Sequence, residues 1–266
     1  MSEEQKRTAL LAEDNVLNQK VAIILLDMFG WEHTLVPDGK QALKAITDGN
    51  RYTVVLMDCM MPEMDGFEAT RQIRRIEKLR GQYTPIIAVT ALAMAGDYER
   101  CIAAGMDDYI SKPISKETLK VKLDHWSQPD VVSRNKKLAH SFNQYSPASS
   151  AGSMRTPVNI LELEKFYGAG ELSTVLDLFL TTTENLFAEL ERAIAERRAQ
   201  AVSRIAHELK ASTTTVGAKD MTKLCLYLEH TTGHEDWYEA EQTAKELMQS
   251  FKEMKQFIGS RAVTPQ

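Results

Sequence analysis

Cysteine is scarce in this 266-residue chain. Its three cysteines, Cys59, Cys101 and Cys225, are odd in number and far apart in sequence, which excludes a disulfide framework and gives no zinc-ligand spacing. Long apolar runs are also missing, since no stretch approaches the roughly 20 residues that cross a bilayer, and the polar start MSEEQKR is no secretory signal. The formal net charge of −5 provides no basic surface for nucleic acid. These absences predict a cytoplasmic protein that binds neither membrane nor nucleic acid.

The chain is long enough for two domains, and 43% of its residues are hydrophobic. In the first half, short apolar segments alternate with stretches of helical period. The predicted strands are Thr8–Ala12, His33–Val36, Tyr52–Met57, Ile86–Val89 and Asp108–Ser111. The predicted helices are Val16–Phe29, Lys40–Thr47, Phe67–Leu79, Gly96–Ala104 and Lys116–Trp126. This alternation predicts an α/β domain with a parallel sheet and right-handed crossovers.

Polar side chains stand where the predicted strands end. Asp58 directly follows the apolar run Val54–Met57, and an acid in that place is costly unless it is paired or functional. A single aspartate there is most often only a helix cap or a solvated loop residue. Polar residues also follow the other strands, and the carboxyl ends of parallel strands meet at one edge of a sheet. The side chains expected together at that edge are Glu13, Asp14, Asp58, Thr90 and Lys112.

The motifs around these residues are LLAEDN, LMDCMMPEMDG, VTA and YISKP, and with them residues 7–126 resemble a response-regulator receiver domain. The resemblance implies a flavodoxin-like, doubly wound sheet of five parallel strands. It also implies that Asp58 accepts a phosphoryl group. Because this transfer brings anions together, Mg²⁺ is the implied cofactor. Its implied ligands are Asp14 and Asp58 directly, Glu13 through water, and the backbone carbonyl of Met60.

The resemblance assigns roles to three further residues of this edge. Lys112 would neutralise phosphate oxygens as a point charge, and its peptide bond to Pro113 is expected to be cis. Thr90 and Tyr109 would form a switch, in which the hydroxyl moves toward the aspartyl phosphate while the aromatic ring turns inward. Tyr109 is otherwise an ordinary aromatic residue at the rim of the sheet.

A phosphatase of the haloacid dehalogenase type is another use for an aspartate in this position. Those enzymes need a second aspartate two residues after the nucleophile as general acid, and here that residue is Met60. The residue type at this position argues against such a phosphatase. Met60 and Leu92 are instead expected beside the path of attacking water, where two apolar side chains indicate either slow self-hydrolysis or simple packing.

The composition changes after residue 126. Residues 127–157 are rich in serine with added proline and glycine, which is typical of a linker. Residues 158–260 show helical period without strand alternation. The predicted helices are Leu161–Tyr167, Leu172–Arg197, Ala199–Val216, Met221–His230 and Trp237–Ile258, with Gly168, Gly170, Gly217 and Gly233 in the connections. This pattern predicts an all-α domain, a four-helix bundle with one short extra helix.

His207 lies on the predicted helix Ala199–Val216, on the side opposite its apolar face. The surrounding AHELKASTTTVGA resembles the phosphorylated helix of histidine-containing phosphotransfer (HPt) domains. The resemblance implies that His207 carries a phosphoryl group and that Lys210, one turn away, attracts it. The small Ala211 would let a receiver approach, although the family often has glycine there. A zinc protease motif HExxH would need histidine at position 211, so the sequence excludes that alternative.

These two resemblances predict a phosphorelay protein. Asp58 would accept a phosphoryl group from an upstream histidine kinase, and His207 would relay phosphoryl groups to or from receiver aspartates, including a separate downstream receiver. An ATP-binding segment is not recognisable, so any enzymatic role would be phosphotransfer. Two alternatives stay open: a switch in which receiver phosphorylation masks or exposes the helical domain, and the C-terminal part of a hybrid histidine kinase, against which the polar start argues. A DNA-binding regulator would need a basic recognition helix.

The two domains are expected to fold independently, because each has its own apolar pattern and residues 127–157 offer little to bury. Separate expression of residues 1–127 and 157–266 should yield two folded proteins by circular dichroism. Small-angle scattering of the whole chain should show two tethered bodies. An unfolded half, or scattering from one rigid compact body, would contradict this organisation.

Overall fold

The computed structural model describes residues 7–90, 97–129, 131–132, 158–232 and 237–262. The chain divides into two compact units, Met1–Ser153 and Met154–Gln266. Leu92, Gly96, Gly233 and residues 133–157 of the predicted linker lie outside the described residues. The predictions made for them therefore stay predictions.

The first unit contains a parallel sheet in the strand order β2-β1-β3-β4-β5. Its strands are β1 Thr8–Ala12, β2 Glu32–Val36, β3 Val54–Asp58, β4 Ile86–Thr90 and β5 Asp108–Ser111. Its helices are α1 Val16–Met28, α2 Gly39–Thr47, α3 Gly66–Arg80, α4 Asp97–Ala104 and α5 Lys116–Trp126. This order is the flavodoxin-like one, so the predicted fold class of this unit is confirmed.

The central strands are buried because helices cover both faces of a parallel sheet. Every residue of β3 and β4 is buried. Strand β2 lies at one edge and exposes most of its residues. Asp58 is the last residue of β3 rather than the first residue of the loop, so the strand itself carries an acid into the interior.

The strand register brings the polar residues together. Ala12 of β1 lies opposite Met57 of β3, so Glu13 continues the chain beside Asp58. On the other side of β3, Asp58 pairs with Val89 and places the end of β4 next to it. The backbone pairing of the apolar strands therefore determines where the polar residues meet, independently of any contact between the polar side chains.

The second unit is helical. Its helices are α6 Ile160–Tyr167, α7 Ala169–Ala195, α8 Ala199–Thr215, α9 Lys219–Thr232 and α10 Trp237–Ala262. From α7 to α10, each helix contacts the next one along the chain, and α10 also contacts α7. The short helix α6 packs on α7. This closed cycle is a four-helix bundle with a short additional helix, as predicted.

Buried residues follow helical spacing in this bundle. Along α7 they recur every three or four residues, and the ring of Phe251 from α10 lies 5.2 Å from Phe187 and 6.1 Å from Phe179. Gly168 and Gly217 adopt positive φ in the connections, as glycine readily does. Gly170 was expected in a connection, but α7 begins one residue before it, so it lies in the first turn. Among the described residues, no helix combines the length and the apolar character needed to cross a bilayer.

A buried ion-pair network ties α3 to the loops before β4 and β5. The guanidinium of Arg74 donates to Asp107 Oδ2 at 2.6 Å, pairs with Glu77, and donates to the Thr84 and Gly105 carbonyls at 2.9 and 2.8 Å. The carboxylates also accept backbone N–H groups, from Thr84 to Glu77 at 2.6 Å and from Ile86 to Asp107 at 2.7 Å. One cation therefore neutralises the buried Glu77 and the half-buried Asp107.

Replacing Arg74 with methionine should destabilise the receiver unit by about 3–5 kcal/mol, because it leaves the buried Glu77 and the half-buried Asp107 carboxylates without their cation. Urea unfolding of the full chain, followed by tryptophan fluorescence, measures the change. The matched control is Arg71→Met on the same helix, since Arg71 forms only an exposed pair with Glu68 and should have a much smaller effect. Equal effects of the two variants would show that the network contributes nothing specific.

Candidate functional sites

Three carboxylates converge at the carboxyl edge of the sheet. One oxygen from each of Glu13, Asp14 and Asp58 lies within 4.8 Å of the other two. Glu13 and Asp58 are nearly inaccessible, with Asp58 only 5% exposed. The structure thus brings together the three acids that the sequence predicts at this edge.

Lys112 lies between two of these acids. Its Nζ is 2.6 Å from Asp58 Oδ2 and 2.7 Å from Glu13 Oε2, and its side chain is only 6% exposed. Burial works against the ammonium, but the two adjacent carboxylates outweigh burial and raise the pKa of Lys112 above its ordinary value. The peptide bond from Lys112 to Pro113 is cis, as the resemblance implied.

The negative charge of this cluster exceeds its positive charge. Burial raises the pKa of Glu13 to about 8, and the Asp58 carboxylate adds to the increase while Lys112 opposes it. Three carboxylate ligands with one ammonium suit a divalent cation, and Mg²⁺ prefers such oxygen donors. Glu13, Asp14 and Asp58 could hold it. The part predicted for the Met60 carbonyl stays a prediction.

The loop after β3 folds back onto the end of that strand. The backbone N–H of Met60 donates to Asp58 Oδ1 at 3.0 Å, and the N–H of Gly66 donates to the Cys59 carbonyl at 3.1 Å. A Cβ on Gly66 would lie 2.1 Å from the Asp58 carbonyl oxygen, so only glycine permits this approach. The sequence predicts a helix that begins at Phe67, one residue after Gly66, but it does not predict this contact.

The two predicted switch residues occupy neighbouring strands. Thr90 is buried at the end of β4. Tyr109 on β5 is half-buried, with its ring 5.6 Å from that of Tyr98 in an edge-on arrangement and 5.6 Å from Lys122 Nζ. The coupled movement of Thr90 and Tyr109 stays a prediction.

Cys59 and Cys101 are close in space despite their separation in sequence. Their Sγ atoms are 3.8 Å apart, well beyond the roughly 2.05 Å of a disulfide bond. Both are buried and not joined by a disulfide bond, and Cys225 is buried as well.

His207 forms a second polar cluster, on the helical bundle. Its Nδ1 lies 2.9 Å from Glu229 Oε1, and Lys210 Nζ lies 2.7 Å from Glu229 Oε2. The imidazole is 40% exposed. Helical spacing predicted a side chain pointing away from the apolar face, whereas α9 runs alongside and covers part of the ring.

Glu229 is the residue that sequence reasoning missed. Burial opposes its charge, but hydrogen bonds from His207 and Lys210 prevail and lower the pKa of Glu229. A signal was present, because Glu229 lies four residues after Cys225 and eight after Met221, both buried. An acid that continues such an apolar stripe on a helix usually has a partner.

Comparison with known proteins agrees with both halves of this structure. Residues 9–124 match the family model described as the response regulator receiver domain, and residues 174–256 match the Hpt domain. The chain therefore belongs to the proteins that join a receiver domain to an Hpt domain.

Among curated proteins, the chain is similar to hybrid signal transduction histidine kinase I of Dictyostelium discoideum, 46% identical over 114 residues, and to histidine kinase 1 of Arabidopsis thaliana, 35% identical over 142 residues. Each alignment covers 41% of this chain. The chain spans only 7% and 12% of the length of these two relatives.

Among solved structures, the chain is similar to the receiver domain of a Pseudomonas aeruginosa sensor histidine kinase, with magnesium coordinated in its active-site cleft. That match has 44% identity and a TM-score of 0.42, and covers 46% of this chain and 98% of the other. A Saccharomyces cerevisiae complex of a histidine phosphotransfer protein with a receiver domain matches at 29% identity and a TM-score of 0.44, over 46% of this chain and 89% of the other.

Phosphorylation at the acidic cluster should require a divalent cation, because the carboxylates would otherwise repel an incoming phosphoryl group. Labelling the full chain with acetyl phosphate should proceed with Mg²⁺ and fail in excess EDTA. Restoring Mg²⁺ serves as the control for protein integrity. Undiminished labelling of Asp58 in EDTA would contradict a metal site here.

Proposed function

We propose that this chain is a phosphorelay protein in which Asp58 receives a phosphoryl group from a histidine kinase and His207 exchanges phosphoryl groups with receiver aspartates. The observation that supports this most is the pairing of each acceptor with a lysine. Asp58 lies 2.6 Å from Lys112, and His207 shares Glu229 with Lys210. A lysine at each acceptor supplies the positive charge that phosphoryl oxygens need.

At the receiver, the acceptor oxygen belongs to a carboxylate already held in place. In transfer from a phosphohistidine, the N–P bond breaks and a bond forms between phosphorus and an Asp58 oxygen. The Met60 N–H holds Oδ1 by a hydrogen bond. The Lys112 ammonium, bound to Oδ2, is positioned to stabilise the negative charge on the phosphoryl oxygens during transfer. A bound Mg²⁺ would supply the remaining positive charge.

At the bundle, the contact with Glu229 selects a histidine tautomer. When Nδ1–H is donated to the Glu229 carboxylate, neutral imidazole keeps its lone pair on Nε2. That nitrogen attacks the phosphorus of an aspartyl phosphate, and the P–O bond to the aspartate breaks. Lys210 lies one helical turn from His207 and is held by the same carboxylate, so its charge stays close to the imidazole ring.

The lengths of the curated relatives support two possible settings for the proposed chemistry. Both curated relatives are histidine kinases many times longer than the aligned segment. We infer that the same relay serves either a separate signalling protein or the receiver and Hpt portion of a hybrid kinase. The chemistry proposed at Asp58 and His207 is identical in the two cases.

The chemical stability of the bound phosphate tests the two assignments. An acyl phosphate is labile in base, whereas a phosphoramidate is labile in acid. After exposure to a phosphorylated kinase and receiver, Asp58→Asn should hold only acid-labile phosphate and His207→Gln only base-labile phosphate. His125→Gln, which alters a histidine of the receiver's α5, should retain both kinds.

The same variants separate a relay from a masking switch. Transfer to a downstream receiver should cease in His207→Gln if the histidine carries the phosphoryl group. Signalling that survives this substitution would favour a switch in which the bundle is only exposed or covered. Both kinds of phosphate in either single variant would show that a site has been misassigned.

A further inference from the structure

Asn18 is a buried amide on the inner face of α1. It is 4% exposed, and its neighbours Leu17, Val21 and Ala22 are buried hydrophobic residues. An amide placed among apolar side chains costs free energy unless it is hydrogen-bonded. None of the sequence motifs assigns Asn18 a role, so its presence on this face needs a physical reason.

The reason is a contact with the acidic cluster. Asn18 Nδ2 donates to Glu13 Oε1 at 3.0 Å, and the backbone N–H of Asn15 donates to the same oxygen at 3.3 Å. The other oxygen, Glu13 Oε2, lies 2.7 Å from Lys112 Nζ. Helix α1 thus holds one oxygen of the carboxylate, and the second is directed into the cluster.

Helix capping gives this arrangement its rigidity. The Asn15 side chain accepts the backbone N–H of Asn18 at 3.1 Å and so fixes the first turn of α1. Within that turn, Gln19 Nε2 donates to the Glu13 carbonyl oxygen at 2.7 Å. The backbone and the carboxylate of Glu13 are therefore held by adjacent residues of one helical turn.

We propose that Asn18 is a positioning residue for the Mg²⁺ site: it fixes the Glu13 carboxylate so that Oε2, paired with Lys112, stays directed into the acidic cluster where the ion would bind. The proposal rests on the proposed function of the receiver edge. Loss of a partner that orients a metal ligand typically weakens metal affinity by roughly 10- to 100-fold. Without the amide, Glu13 can rotate its carboxylate and the three acids lose their common orientation.

The test is Mg²⁺ binding to the full chain, measured by isothermal titration calorimetry. Asn18→Leu retains a similar side-chain shape and removes the donor. We expect it to weaken Mg²⁺ binding about 10-fold. A parallel titration with acetyl phosphate should show half-maximal labelling at a Mg²⁺ concentration raised by a similar factor, with full labelling recovered at saturating Mg²⁺.

Gln19→Ala is the matched control, because it removes a hydrogen bond to the same glutamate but leaves the carboxylate partner in place. Its Mg²⁺ affinity should stay within about 2-fold of the unmodified chain. An equal loss in both variants would overturn the proposal, since the effect would then belong to the backbone of the loop. Unchanged affinity in folded Asn18→Leu would overturn it as well.

Folding and function are checked separately. Thermal unfolding without Mg²⁺, followed by circular dichroism, shows whether Asn18→Leu is folded, and Asn18→Ala replaces it in the same titration if it is not. Failure of the unmodified chain to label on Asp58 at any Mg²⁺ concentration would reject the proposed function itself. A labelled chain whose Mg²⁺ requirement is unmoved by either Asn18 substitution would reject only the role of Asn18.

Discussion

The receiver site depends on the ion pairs that the Lys112 ammonium makes with Asp58 and Glu13. Held within hydrogen-bonding distance of Asp58 and Glu13, the ammonium is the cation that makes a group of buried carboxylates tolerable. Its position follows from the fold, because β4 and β5 pair up to Thr90 and Ser111, and Lys112 is the first residue after β5. Backbone pairing of apolar strands thus delivers the charge that the acids require.

Both candidate sites pair a lysine with a carboxylate, but the carboxylate has a different role in each. At the receiver edge, the carboxylate that pairs with lysine is itself the proposed acceptor. On the bundle, the carboxylate of Glu229 holds both the lysine and the imidazole, and the acceptor is the ring. A buried carboxylate brings its own negative charge to the transfer, so Lys112 and a bound cation would have to offset it, whereas a neutral ring nitrogen adds no charge and needs its tautomer fixed.

Periodicity in the sequence was sufficient to predict the strands, the bundle and the meeting of Asp58 with Glu13 and Asp14, because these depend on which segments are buried. It was insufficient to predict contacts that depend on how side chains from different segments approach one another. Glu229 reaches His207 from a neighbouring helix, and Asn18 reaches Glu13 from within an apolar face. Their place on a buried stripe of the helix indicates that such polar residues have a partner, but the partner is not identified until the packing of the segments is known.

Exposure of the two acceptors determines how each could meet its own partner in the proposed relay. Asp58 is 5% exposed at the carboxyl edge of the sheet, while the His207 side chain is 40% exposed on a helix. In-line transfer requires the two reacting atoms to approach within a few ångströms of phosphorus. A buried aspartate cannot advance, so the phosphohistidine of a donor would have to reach it from outside, whereas the half-exposed His207 is open to an approaching receiver. The small side chain of Ala211, one turn beyond His207, leaves room on the helix surface for such an approach.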